Sequence, residues 1–358
     1  MITSFSIKGF KQFTNIRLDN LKPLTLIGGK NNTGKTTILE AFFMFYDRAN
    51  PEVTMRHLSW RGVGSITLNS ASLWSPIFNG YDMVNAIEME VDENKTKEKL
   101  CIKHNKEFQK SMFGLTSPKG TSLKIDTSQQ AIGAESLEFI YYINNKKVGE
   151  AHLTLEGARL GMHVKNISMP PSLKKSIYIA SGAQRNPMED AARFGELDIH
   201  GQTDNITEIL KIIEPNLKSL TTIAKGDHAF IYGDIGLSRK IPVSHMGEGT
   251  AKLLSIILAI ATNENGIVLI DEIENGWHYS LLPDILKAIH EVSKKYNCQI
   301  FATTHSYEIK QSLIQGLSSE AISNITYIRL DKEKGEIKPK IYESEMLVAA
   351  LKRGWETR

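Results

Sequence analysis

Alternating apolar and polar positions open the chain. Residues 2–8 and 13–19 predict two short strands framing a turn at Gly9-Phe10-Lys11. Leu24-Thr25-Leu26-Ile27-Gly28 is a continuous apolar run that predicts a buried strand, and Thr37-Ile38-Leu39-Glu40-Ala41-Phe42-Phe43 predicts a helix ending near Asp47. From about 65 to 180 the period falls to two, as in Ala86-Ile87-Glu88-Met89-Glu90-Val91, Leu123-Lys124-Ile125, Leu137-Glu138-Phe139-Ile140-Tyr141-Tyr142 and Ala151-His152-Leu153-Thr154-Leu155. Turn residues at Asn144-Asn145 and Glu156-Gly157 separate these segments, so an antiparallel sheet is expected. Beyond 184 the chain turns polar. Ile206, Ile209, Leu210, Ile213, Leu217 and Leu220 then recur at helical spacing after a cap at Asp204, and Pro215 kinks or splits that helix. From about 228 onward strand and helix alternate. Met346-Leu347-Val348-Ala349-Ala350-Leu351 predicts a short apolar helix that either docks a partner or, preferably, packs on its own domain.

A length of 358 residues suffices for one large or two medium domains. The longest apolar runs, such as Ile256-Ile257-Leu258-Ala259-Ile260-Ala261, are far shorter than the roughly 20 residues of a membrane helix. The N-terminus carries no signal-peptide core. Two cysteines, Cys101 and Cys298, make neither a disulfide framework nor a zinc set, and a reducing, cytoplasmic setting is expected. The net charge of +3 neither requires nor excludes nucleic acid.

Between the first apolar strand and its helix stands Gly29-Lys30-Asn31-Asn32-Thr33-Gly34-Lys35-Thr36, a complete GxxxxGK[ST] phosphate-binding loop. Gly29 and Gly34 permit backbone angles that side chains forbid. The amides from Gly29 through Asn31, Asn32 and Thr33 can then curl round a phosphate at a helix N-terminus that already favours anions. Lys35 supplies a point charge for the β- and γ-oxygens, the Thr36 hydroxyl is placed to ligate Mg²⁺, and Thr37 is within one residue of the α-phosphate.

Gly266-Ile267-Val268-Leu269-Ile270-Asp271-Glu272 is a fully apolar strand ending in two carboxylates, which fits the middle of a parallel sheet. Asp271 would hold Mg²⁺, and Glu272 would orient or deprotonate an attacking water. Phe301-Ala302-Thr303-Thr304-His305-Ser306 is a second apolar-to-polar strand end, where His305 is either structural or a sensor of the γ-phosphate. Ser244-His245-Met246-Gly247-Glu248-Gly249-Thr250 sets small residues ahead of a helix over Ala251–Ala261, a weaker phosphate-friendly feature. Lys95, Lys97, Lys99, Lys103, Lys106 and Lys110 lie in one stretch interleaved with Glu93, Glu98 and Glu107. This is either a phosphate-contacting strip or, preferably, a solvated hairpin.

These features, in this order, resemble ATP-binding-cassette ATPases, and within them the SMC, RecF and OLD branch. Ile7-Lys8-Gly9-Phe10-Lys11-Gln12-Phe13 looks like the usual start of that branch, and Met246-Gly247-Glu248-Gly249-Thr250 stands where its signature motif stands. Asp271-Glu272-Ile273-Glu274-Asn275-Gly276-Trp277-His278 is similar to the same segment of OLD-type and related bacterial AAA-family proteins. The resemblance implies an α/β fold of the ABC-type P-loop class, with a mixed central sheet, an antiparallel β subdomain and a helical subdomain. One domain over 1–358 is expected, divided into 1–183, 184–227 and 228–358. It further implies that Lys11 lies near the nucleotide, that Gln184 serves as the Q-loop glutamine, and that Gly247 and Gly249 face the γ-phosphate held by a second subunit.

The signature departs from LSGGQ, and His278 stands where many cassettes carry an aspartate. No heptads interrupt the chain, and no Toprim-like carboxylate cluster follows the last predicted strand, Asn324–Leu330. The resemblance therefore implies a head-to-tail dimer closed round ATP and Mg²⁺. It also implies an ATPase that regulates a separately encoded effector, such as a nuclease or toxin of anti-phage defence. Two alternatives stand beside this: a RecF-like DNA-binding repair ATPase, and an assembly scaffold with little turnover.

Overall fold

The computed structural model describes residues 1–50, 53–54, 70–108, 134–155, 162–166, 168–181 and 186–352. The predicted strand around Leu123 and the loop carrying Gln184 lie outside them.

The opening strands are β1 (Ile2–Phe10) and β2 (Phe13–Leu18), so the turn falls at Lys11-Gln12, two residues later than Gly9 indicated. Next come β3 (Leu24–Gly29) and α1 (Lys35–Tyr46). The period-two region supplies β4 (Ile87–Glu93), β5 (Thr96–Phe108), β6 (Ala134–Ile143), β7 (Lys146–Leu155) and β8 (Met162–Asn166). These five strands pair with β1 and β2 into a seven-stranded antiparallel sheet ordered β2-β1-β4-β5-β6-β7-β8.

A second, six-stranded sheet carries the chemistry. It comprises β3, β9 (Ser176–Ile179), β13 (Ile267–Ile270), β14 (Gln299–Thr303), β15 (Ile325–Glu333) and β16 (Glu336–Tyr342), in the order β16-β15-β3-β14-β13-β9. All its pairs are parallel except β15 with β16. Both faces of this sheet are apolar. Ile27, Ile267, Leu269, Phe301 and Ile328 face α1 and the antiparallel sheet. Leu24, Leu26, Val268, Ile270, Ile300 and Ala302 face the helices beyond. That is why β13 reads as an unbroken apolar run. α1 is thus buried between two sheets, and stacked rings run through it: Phe5 on Phe42 at 4.0 Å, and Phe42 on Phe301 at 4.2 Å. Gln299 ties the two sheets together, accepting from the Ile2 N–H and donating to the Ile2 carbonyl, each at 3.0 Å.

The helices on the outer face are α2 (Pro187–Ile199), α3 (Asp204–Leu210), α4 (Glu248–Ala261), α5 (Leu282–Lys295), α6 (Tyr307–Gly316), α7 (Ser319–Ser323) and α8 (Ser344–Lys352). The helix expected to run past Leu220 stops at Leu210. Leu220 instead lies in β10 (Ser219–Lys225), which forms a three-stranded sheet with β11 (His228–Asp234) and β12 (Ile241–Pro242). The β-branched run Thr221-Thr222-Ile223 and the turn before His228 favour the hairpin over the helix. Thr203, not Asp204, is the N-cap of α3. The helix after Gly247 begins three residues earlier than expected. Leu347 of α8 is buried in its own domain's core.

Candidate nucleotide site

The parallel register brings three strand ends to one edge. Thr303 pairs with Ile27 and Ala302 with Ile270, so Gly29, Thr303 and Asp271 emerge side by side. The loop between β3 and α1 is built from left-handed backbone: φ is 137° at Gly29, 61° at Asn32 and 90° at Gly34. Glycine is required twice over at Gly34. A Cβ there would lie 2.4 Å from the Phe13 ring and 2.6 Å from the Gln12 amide nitrogen.

Lys35 is 5 % exposed, and its ammonium donates to the carbonyls of Gly29 (2.9 Å) and Lys30 (2.8 Å). Burial pushes its pKa down, opposed by the negative charge of Asp271, Glu272 and Glu274. The Thr33 hydroxyl donates to the Lys30 carbonyl at 2.8 Å and braces the loop from inside. Thr36 donates to both Asp271 carboxylate oxygens, at 3.0 and 3.2 Å. Asp271 also accepts from Thr303 (2.6 Å) and Ser181 (3.3 Å), so three hydroxyls converge on one carboxylate.

Glu272 takes a left-handed φ of 48°. Its N–H donates to the Thr303 hydroxyl at 2.7 Å, and its carboxylate accepts from Asn275 at 2.5 Å and meets His305 Nε2 at 3.4 Å. A cleft of about 320 Å³ is lined by Gln12, Asn31, Asn32, Gly34, Lys35, Thr36, Thr37, Glu272 and His305. Residues far apart in the chain therefore share one wall.

Lys11 does not share it. Its ammonium is buried in an ion pair with Glu40 at 2.6 Å, and Gln12 takes the place at the cleft, accepting from the Thr37 hydroxyl at 3.1 Å. Gly247 and Gly249 are not among the lining residues either. Gly247 caps α4 with φ 118° and has open space where a Cβ would go. Gly249 is buried; a Cβ there would lie 2.5 Å from the Gly276 carbonyl oxygen, and its own carbonyl accepts from the Trp277 indole at 2.9 Å.

Four contributors escaped the motif reading: Gln12, Ser181, Thr303 and Lys252. Lys252 is the informative one. It is the one charged residue of the run Ala251–Ala261, is 4 % exposed, and donates to the carbonyls of Glu272 (2.7 Å) and Asn275 (3.0 Å). A lone lysine on the apolar side of a helix was the available signal. In the lysine strip, by contrast, three of the six lysines face acids. Lys97 pairs with Glu90 at 2.8 Å and Lys99 with Glu88 at 3.0 Å, while Lys103 stands opposite Glu138; Lys110 is outside the described residues.

Two family models each match about half the chain: one described as "AAA ATPase domain" over residues 1–182, the other as "AAA domain, putative AbiEii toxin, Type IV TA system" over residues 121–309. The chain belongs to the AAA ATPase domain family. A Helicobacter pylori protein named ATP/GTP phosphatase is 25 % identical to this ATPase over 97 % of both chains. Two solved SMC heads share the fold. One, from Pyrococcus furiosus and bound to the C-terminal domain of ScpA, has a TM-score of 0.55 at 12 % identity and covers 98 % of both chains. The other, bound to the C-winged helix domain of ScpA, scores 0.52 at 13 % identity and covers 97 % of this ATPase and 99 % of that chain. The fold is thus that of an ABC-type P-loop ATPase, as the motifs implied. Among the described residues no helix is long and apolar enough to cross a membrane.

Proposed function

We propose that this ATPase turns over ATP with Mg²⁺ in the cleft between Lys35 and Glu272, closes as a dimer round the nucleotide, and thereby regulates a separately encoded effector. The observation that carries the reading is the convergence of Lys35, Thr36, Glu272 and His305 on one cleft from three strand ends, with Asp271 bonded to Thr36. Thr36 and Asp271 are the residues that would hold Mg²⁺. Their hydroxyl and carboxylate already meet at 3.0 Å, and both are hard oxygen donors. When bound, the ion would neutralise charge on the β- and γ-phosphates.

The chain's own groups supply the rest. Lys35 exchanges two backbone carbonyls for phosphate oxygens and brings its charge to them. The loop amides hold the phosphates in place. Glu272, steadied by Asn275 and by Thr303 beneath it, accepts the proton of the attacking water, and His305 donates to the γ-phosphate.

Dimer closure rests on α4. Its N-terminus is open at Gly247, away from the cleft of its own chain, and a second copy's nucleotide would complete it. Regulation of an effector rests on the family resemblance and on a chain whose described residues are absorbed by the ATPase fold. The pairing of Lys97 and Lys99 with acids favours this over a DNA-repair ATPase. The test is the solution mass of Glu272→Gln with and without ATP and Mg²⁺. ATP-dependent doubling is expected; an unchanged mass with ATP bound would sink ATP-gated closure, and a trapped dimer that captures no effector from its own host would sink the regulatory part.

A further inference from the structure

We infer that Glu274 is a positioning residue for hydrolysis: its carboxylate fixes the backbone of His305 and, through it, the contact between His305 and Glu272. This rests on the reading of His305 as a group that acts in turnover.

The local geometry follows from the end of β13. Ile273 is fully buried and its N–H donates to the Thr303 carbonyl at 3.0 Å, so the chain keeps pairing with β14 past Asp271. That pairing carries Glu274 to the turn beyond Thr303. One of its oxygens, Oε1, accepts from the N–H of His305 at 2.6 Å and from the N–H of Ser306 at 3.0 Å. Charge-assisted bonds of this kind are short and strong. The Ser306 hydroxyl caps α6 by accepting from the Ile309 N–H at 3.3 Å, so the turn is anchored at its far side as well. The imidazole itself is 38 % exposed. Its place over Glu272 is set mainly by where the backbone holds its Cα.

The second oxygen, Oε2, is buried without a hydrogen-bond partner. A polar atom in that state is costly to the fold. A plain turn cap would not need a carboxylate at that cost. A group that must hold two amides of a loop facing a charged nucleotide has use for one. Glu272 and Glu274 are two residues apart, and they grip the two ends of His305: the ring at 3.4 Å and the main chain at 2.6 Å.

The experiment is a double-mutant cycle on the full chain, reading kcat and KM for ATP together with the equilibrium affinity for a fluorescent ATP analogue. Glu274→Ala should lower kcat about 10- to 100-fold, the usual cost of a misplaced reacting group, with nucleotide affinity held within about two-fold. In a His305→Ala background the same change should cost nothing further, as expected for two residues acting as one unit. Glu274→Gln keeps an oxygen that accepts both N–H groups but loses the charge that strengthens them, and should fall between wild type and Glu274→Ala. If Glu274→Ala does not fold, Glu274→Asp withdraws the oxygens by one methylene and replaces it in the cycle. Additive losses from Glu274 and His305 overturn the inference, as does a Glu274 variant with unchanged kcat. A His305→Ala enzyme with normal turnover instead overturns the reading of His305 on which the inference stands.

Discussion

Two helices of this ATPase begin at glycines in unusual backbone, and their N-termini could hardly be more different. α1 starts at Gly34, crowded by Phe13 and Gln12, with Lys35 folded back onto the loop carbonyls. α4 starts at Gly247, with nothing where a side chain would go. Both ends project unsatisfied amides and positive dipole. One is enclosed by its own chain. The other is finished on the inside, where Trp277 and Lys252 tie it to the turn after Asp271, and unfinished on the outside. On the proposed function, the contrast separates affinity for nucleotide, which a single chain would supply, from the response to nucleotide, which a partner surface would complete.

Breaking the enclosed end should have the largest effect. Lys35→Ala is expected to abolish measurable binding of a fluorescent ATP analogue, and turnover with it. Retained binding would show that the loop amides alone suffice. Next comes Glu272→Gln, which should lower turnover by about 10²- to 10⁴-fold while binding ATP normally; hydrolysis at the wild-type rate would refute the role of Glu272.

The open end is sharpened by Gly247→Val. Its backbone, φ 118° and ψ 152°, lies where side chains are strained by about 1–3 kcal/mol. The expected outcome is a lower melting temperature, an unchanged ATP affinity for the single chain, and loss of the ATP-dependent mass shift of Glu272→Gln. A preserved shift would remove α4 from the closure.

The smallest effect lies outside both ends. The Ser4 hydroxyl and Arg17 hold the Asp92 carboxyl below its ordinary value against modest burial. A depressed carboxyl contributes stability that is present above the usual carboxylate range and lost as pH falls through it. Thermal melts between pH 6 and 3 should therefore show a slope that Asp92→Asn makes slightly shallower, with no change in ATP binding at pH 7. An identical slope would place the acid sensitivity elsewhere.

How much of this could be read from the chain follows the same division. The enclosed end was legible because its parts are contiguous: the loop requires Gly29, Gly34, Lys35 and Thr36 at fixed spacing, and Asp271-Glu272 closes an apolar strand. Contacts between distant segments were not legible. Gln12 rather than Lys11 reaches the cleft because the β1–β2 turn falls two residues later than Gly9 signalled. Ser181 and Thr303 bond to Asp271 only because β9 and β14 flank β13. The misplaced helix beyond Leu210 has another cause. β10 is half-exposed on all but its end, so its apolar residues are too few to set a clear period of two, and Leu217 and Leu220 fell into helical step by spacing alone.

The strand order of the mixed sheet bears on how the protein is made. β3, which delivers the phosphate loop, finds its neighbours only in β14 and β15. At 5–20 residues per second, synthesis needs on the order of 15–60 s to travel from the loop to those strands. Throughout that interval Leu24, Leu26 and Ile27, all fully buried in the finished fold, have no adjacent strand to cover them. A ribosome that stalls short of β14 releases a product with an uncapped apolar strand, a substrate for chaperones rather than a partly working enzyme.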